Sequence, residues 1–438
     1  MALERASSRR FARLKPPREA PAVGPGHPRW PRRFLAILSI AGPGLIAANA
    51  GNDAGGIATY ASAGSQYAYR TLFFMVLVTI GLVVVQEMSA RLGAYTGKGL
   101  VGLIREEFSV RLTFLAVLSL LIANTGLVVS EFAGIGASLE LFGLPAVATI
   151  PVSAAAIFSL VVLGSYRYAE RVFLVASLAF FAYPIAVGLG HPNWPAVLSN
   201  TVAPHLIASR SFLLLGVALI GTTISPYMQL YNAAGVVDRG IGREDYRLAR
   251  IDTVVGAIFA DLVSMCIIIA TAAAIGGHGP LASAKEAAEA LRPVAGAASE
   301  ALFGIGLLGA SALAGAVVPL STSYAIAEAI GVERSVSRRF AEAPLFLGIF
   351  TAQIVIGAAV ALLPVNLITL LIGTQVIEGI VAPVILVFIL VLANRRSVLG
   401  EGANGPVFRA VATVAIAVVT VMSIALVAFT VLGLFGVA

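Results

Sequence analysis

Apolar runs long enough to cross a bilayer follow one another almost without pause from residue 34 to residue 436. Eleven can be drawn, at about 34–66, 71–90, 112–137, 147–165, 172–189, 211–236, 252–275, 301–329, 343–363, 366–393 and 410–436. Each is near or above the ~20 residues that a crossing helix needs. Within hydrocarbon every backbone polar group must be satisfied internally, which restricts spanning segments to helices or closed barrels. The expected fold class is therefore an all-α membrane protein, with 11 transmembrane helices in one domain over 34–438. Charged residues make up 12% of the chain, against about 25% in a soluble protein. Residues 1–33, rich in Arg, Pro and Ala, have nothing to bury and read as a disordered basic tail. They lack the apolar core of a signal peptide.

The net charge of +7 invites a nucleic-acid reading, but its distribution argues against one. With the N-terminus in the cytoplasm, 25 of the 29 Lys and Arg fall in the inside segments; only Arg70, Arg210, Lys285 and Arg292 fall elsewhere. That asymmetry is an orientation signal. It places the N-terminus in the cytoplasm and, with an odd span count, the C-terminus outside a cell membrane. The lipid bilayer is the expected partner, no nucleic acid is, and the chain is expected to be a monomer. The single cysteine, Cys266, excludes an intramolecular disulfide and a cysteine metal cluster. His27, His191, His205 and His278 lie at the ends of apolar runs or outside them, so no histidine cage is expected.

Two spans cannot run as regular helices. Span one is interrupted at Gly51-Asn52-Asp53-Ala54-Gly55-Gly56, and span six at Gly221-Thr222-Thr223-Ile224-Ser225-Pro226-Tyr227. Glycine weakens a helix, and broken backbone at membrane depth is tolerated only where protein or a cavity covers it. Either break alone reads as a packing kink, since Gly and Pro are frequent in membrane helices. The two breaks lie five spans apart, so the two halves begin with opposite orientations. Paired interruptions at corresponding places point to a transporter binding site. Repeat one would cover about 34–190 and repeat two about 211–393, with 410–436 an extra helix. Asp53 lies within the first break, and an acid at that depth is costly and marks function. A carboxylate beside free carbonyls is a hard oxygen site suited to a metal cation. Between spans seven and eight, the spacing over Gly279–Arg292 predicts a short amphipathic helix.

The run from Gly42 through Phe108 resembles the first two helices of the NRAMP family of divalent-metal transporters. It shares Gly42-Pro43-Gly44-Leu45, the acid at Asp53, Ser62-Ala63-Gly64, Ser89-Ala90-Arg91-Leu92-Gly93 and Thr96-Gly97. Further on, Pro192-Asn193-Trp194, the break in span six, Arg250-Ile251-Asp252-Thr253 and Arg395-Arg396 also match, so the resemblance covers about 35–400. It implies a LeuT-type fold with 5+5 inverted repeats and helices 1 and 6 broken. The chain departs from the family at chosen places. The first-helix motif Asp-Pro-Gly-Asn is here Asp53-Ala54-Gly55-Gly56, which puts Gly56 where the family has an asparagine ligand. The sixth-helix motif Met-Pro-His is Ser225-Pro226-Tyr227. Of two acids three apart in span three, Glu131 stands at the second place and Val128 at the first.

Loss of a soft thioether leaves oxygen donors, and Mg²⁺ keeps several of its waters when bound by one or two carboxylates. The pattern resembles a divergent branch, the NRAMP-related magnesium transporters. Met228, three residues after Ser225, would return a thioether if the break shifted by a turn. The expected metal site consists of Asp53 as direct ligand, Gly56, carbonyls near Ala50 and at Thr222 and Thr223, and the Ser225 hydroxyl. Asn52, Tyr227, Glu131, Asp261, Gln375 and Glu378 are expected along the ion path or just outside the donors. For Glu131 a structural role beside a polar neighbour is equally open, and for Asp261 hydrogen bonding between helices stands slightly ahead of a role toward the ion. Glu87, four residues before Arg91, reads as a helix ion pair. The expected function is transport of a divalent cation by alternating access, Mg²⁺ ahead of Mn²⁺ and not strongly proton-coupled. The alternatives are a proton-coupled Mn²⁺/Fe²⁺ importer and an amino-acid symporter of the same fold, whose substrate carboxylate Asp53 would repel. The cation is cargo, no cofactor is expected, and the absence of a catalytic triad, phosphate loop or zinc motif argues against an enzyme.

Overall fold

A computed structural model of the protein describes residues 53–162, 175, 178–205, 207, 209–331 and 343–434. The regular elements among them are helices. In chain order we number α1 Ala54–Tyr67, α2 Leu72–Thr96, α3 Leu100–Glu107, α4 Val110–Glu140, α5 Ala146–Val162, α6 Ala182–Leu189 and α7 Trp194–Val202. The second half holds α8 Arg210–Thr223, α9 Pro226–Asp238, α10 Tyr246–Ile275, α11 Ser299–Ile330, α12 Pro344–Ala361, α13 Leu367–Asn394 and α14 Pro406–Leu434. The helix expected between spans seven and eight is Ala284–Ala288, capped by Ser283, with Ala284, Ala287 and Ala288 buried and Lys285 and Glu286 exposed.

Eight helical stretches among the described residues are long and apolar enough to cross a bilayer. The sequence suggested eleven spans, and the differences have local causes. α1 and α2 run on as one stretch through the turn at Ala68–Thr71, because the chain needs no long connection there. The apolar helices Ala146–Val162 and Leu178–Leu189 are shorter than a full crossing, and 163–174 lies outside the described residues. So does the first half of the first expected span, including Ala50 and Asn52.

α4 runs through the centre and packs along α11, α13, α12 and α5. Its residues Val128, Glu131 and Phe132 are fully buried. α8 and α13 touch backbone to backbone. A Cβ at Gly221 would overlap the Gln375 carbonyl and come within 2.5 Å of the Gly379 nitrogen, and one at Gly379 would overlap the Val217 carbonyl. Only glycine permits that approach. It sets Gln375 and Glu378 of α13 beside the end of α8.

Candidate cation-binding site

Asp53 is the N-cap of α1 and is 3% exposed. An N-cap carboxylate satisfies one of the helix's free N–H groups, and here Oδ1 accepts from the Gly56 N–H at 2.6 Å. Gly56 therefore holds the acid in place through its N–H. The reason is local: residue three of a helix has its N–H free for the cap.

The second break is real and narrow. Ile224 (φ −110°, ψ 44°) and Ser225 (φ −58°, ψ 136°) leave helical geometry between α8 and α9. Pro226 occupies the first position of α9, where its missing N–H costs nothing. In a continuous helix that N–H would serve the Thr222 carbonyl, so the proline leaves this oxygen without its usual donor. Thr222 and Thr223 close α8 and are buried. The Thr223 hydroxyl bonds the Tyr60 hydroxyl of α1 at 2.9 Å, while the Thr222 hydroxyl has no partner. Ser225 is 1% exposed and donates to Glu378 Oε1 at 3.2 Å.

Packing brings further polar groups to the tip of α1. A Cβ at Gly55 would strike the Gln375 amide and lie 2.6 Å from the Ser130 hydroxyl; one at Gly134 would strike Ala54 and the Ser311 hydroxyl. Ser130, Glu131, Ser311, Gln375 and Glu378 are all fully buried. Both Gln375 amide atoms, Glu378 Oε2 and the Ser130 hydroxyl lack a hydrogen-bond partner, while Glu131 faces the Ala54 N–H and the Ser311 hydroxyl. Glu131 and Glu378 are each within electrostatic reach of Asp53. None of the three acids has a Lys or Arg partner among the described residues. Buried charges are normally paired or coordinate a metal, so this cluster is short of positive charge. Ser130 and Ser311 carry no sequence signal beyond Ser130's place next to Glu131.

Of the other expected residues, Tyr227 is buried and packs against Tyr231, ring centroids 6.0 Å apart. Asp261, 3% exposed, belongs to a different setting. It lines a cavity of about 1250 Å³ together with Tyr60, Gln86, Thr223, Met228 and Ser264. Its lining also includes the exposed residues Lys98, Arg105 and Arg239 and the exposed acids Glu106 and Asp238. Met228 thus faces this cavity. Glu87 pairs with Arg91 at 3.1 Å, as its spacing suggested. His191, His205 and His278 are exposed, His27 lies outside the described residues, and no group of three His, Cys, Asp or Glu forms a ready-made cage among those described.

The acid at the start of α1 and the hydroxyl at the break between α8 and α9 frame the site. Residues 44–429 match the family model described as Nramp, natural resistance-associated macrophage protein-like. The chain belongs to the Nramp family. This Nramp protein is 30% identical over 435 residues to a divalent metal cation transporter MntH of Ralstonia nicotianae, an alignment covering 93% of each chain. An MntH of Bacillus subtilis is 29% identical over 303 residues, covering 66% of this chain and 71% of that one. A crystal structure of the Eremococcus coleocola manganese transporter superposes with a TM-score of 0.75 at 19% identity, covering 94% of this Nramp protein and 90% of that chain. The last likeness bears on the fold.

Proposed function

We propose that this Nramp protein carries a divalent metal cation across the membrane by alternating access, with Mn²⁺ as cargo. The observation that carries the reading is the group of three buried acids, Asp53, Glu131 and Glu378, without a basic partner where the two breaks meet. A divalent ion supplies the missing charge, and buried acids in a membrane domain belong to ion pathways. Asp53 is the direct ligand, with the Thr222 carbonyl, the Ser225 hydroxyl and Glu378 around it; Ala50 and Asn52 would add their groups from the other side of the break. The N-terminus is cytoplasmic, the two repeats are inverted, and the transporter works as a monomer. The names of the relatives support a divalent cation, and the structural neighbour is a manganese transporter. They do not support Mg²⁺ as the leading cargo. Mg²⁺ remains the second reading on one observation: Asp53, Ser225 and Glu378 offer oxygen only, and such a set suits hard cations.

The test is uptake into proteoliposomes, Mn²⁺ against Mg²⁺. Asp53→Ala is expected to abolish Mn²⁺ entry while eluting as the wild type does on size exclusion. Wild-type uptake by that variant would remove the site. Mg²⁺ entry that outcompetes equal Mn²⁺ would move the second reading to first place.

A further inference from the structure

Asp261 is the acid that the site around Asp53 does not use. It sits mid-way along α10, almost wholly buried, with Oδ2 unpartnered. Its carboxylate faces the Thr79 hydroxyl on one side and the 1250 Å³ cavity on the other. Other acids on the cavity wall have cationic company: Asp252 meets Arg239 at 3.6 Å, and Glu106 meets Lys98 at 2.5 Å. Asp261 has no Lys or Arg partner among the described residues.

The surroundings of Asp261 are those of an oxygen-donor site. Ser264 lies three residues on, hence on the same face of α10, and also lines the cavity; its hydroxyl donates to the Ala260 carbonyl at 3.1 Å and stands within hydrogen-bond reach of the Tyr60 hydroxyl. The Tyr60 and Thr223 hydroxyls, joined to each other, complete the deep end. Tyr60 is within electrostatic reach of both Asp261 and Asp53. It follows Asp53 by seven residues, about 10 Å of helix rise, and helical side chains lean back toward the N-terminus. The Tyr60–Thr223 pair thus stands between the two acids, and Asp53 itself does not line the cavity.

We propose that Asp261 forms a second cation site at the deep end of the cavity, where a hydrated divalent ion rests between the Asp53 site and the charged rim. The inference rests on the transport reading above and adds a stage to it. The donors are the Asp261 carboxylate, the Ser264 hydroxyl and the Tyr60–Thr223 hydroxyls, with water completing the shell, as small divalent ions keep several waters. Two carboxylates on either side of a hydroxyl pair let the ion leave one before it is wholly exposed to the other side. The Tyr60–Thr223 bond must open for that passage, because it ties α1 to the end of α8.

Crystals of the full chain soaked in MnCl₂, read by anomalous scattering, test the proposal. Two peaks are expected, one at Asp53 and one at Asp261. Asp261→Asn should lose the second peak, keep the first, and lower Mn²⁺ uptake on the order of tenfold, the scale of one charged contact. Asp261→Glu should restore both. A single peak at Asp53 in the wild type overturns the second site and leaves the transport reading standing. Wild-type protein with neither peak and no uptake overturns the transport reading itself. Because the wild-type crystal decides between these outcomes, an unstable variant does not blunt the test.

Discussion

Two groups of buried acids in this molecule differ in what surrounds them. Glu87 on α2 is 4% exposed and has three partners. Arg91 approaches at 3.1 Å and Arg250 of α10 at 3.5 Å, and the Tyr246 hydroxyl donates to it. Arg91 in turn donates to the Gly402 carbonyl at 3.1 Å and to Asn404, and lies 5.1 Å over the Phe408 ring. Asn404 reaches Asn394 at the end of α13 at 2.8 Å. Between the start of α1 and the break that separates α8 from α9, Asp53, Glu131 and Glu378 are as deeply buried and have no basic partner among the described residues, and Glu378 Oε2 bonds nothing. A buried acid closed in by cations is a latch between helices. One left short of positive charge is a place for a ligand.

The comparison breaks most visibly at Glu87. Glu87→Ala leaves Arg91 and the Tyr246 hydroxyl buried without their acid, and should cost about 3–5 kcal/mol. Thermal unfolding in detergent should show this as a large drop in midpoint, whereas Asp53→Ala should melt near the wild type. If the two variants melt alike, the division into latch and site is wrong.

Glu378→Gln sharpens the other half. The amide can still accept from Ser225, so the turn between α8 and α9 should hold, but the second carboxylate is gone. Calorimetric Mn²⁺ affinity is expected to fall about tenfold, roughly 1.4 kcal/mol, with an unchanged or higher melting temperature. Unaltered affinity would place Glu378 with the latches.

The smallest effect concerns Glu131. Val128 and Tyr227 stand where the family carries titratable groups, and tyrosine's ordinary pKa near ~10 is far from working pH. A 2+ ion crossing the whole field gains roughly 4.6 kcal/mol per 100 mV, twice the single-charge value, which can drive entry without protons. A pH dye inside proteoliposomes should therefore stay flat during Mn²⁺ uptake, and Glu131→Gln should not change it. Acidification that vanishes in Glu131→Gln would show a coupled proton.

The start of α1 and the break in span six were legible in the sequence because their causes are local. An acid in a cap position at Asp53 and a Ser-Pro step at Ser225-Pro226 each act on the residues next to them. The pairing of Glu87 with Arg91 was legible too, since four residues make one helical turn. The part that Gly56 plays in holding Asp53 was not legible: without a side chain it reads as space, and its N–H bond to the acid appears only in the structure. Ser130, Ser311 and the Tyr60–Thr223 bond gave no signal. Tyr60 and Thr223 are 163 positions apart, and nothing near either residue says that the two helices cross there.

What the chain determined by itself is that it forms apolar helices and where two of them must stop. Hydrocarbon leaves no other way to satisfy a backbone, and glycine and proline act on their immediate neighbours. Which buried acids have partners was decided only by tertiary structure. Beyond a neighbour one turn away such as Arg91, compensating charge for an acid at depth comes from another helix, so Glu87 also meets Arg250 of α10 while Asp53, Glu131 and Asp261 meet no basic residue among those described. That choice depends on helix packing, set here by close approaches such as Gly221 on Gly379, and the same packing that closes the latch leaves the site open to an ion.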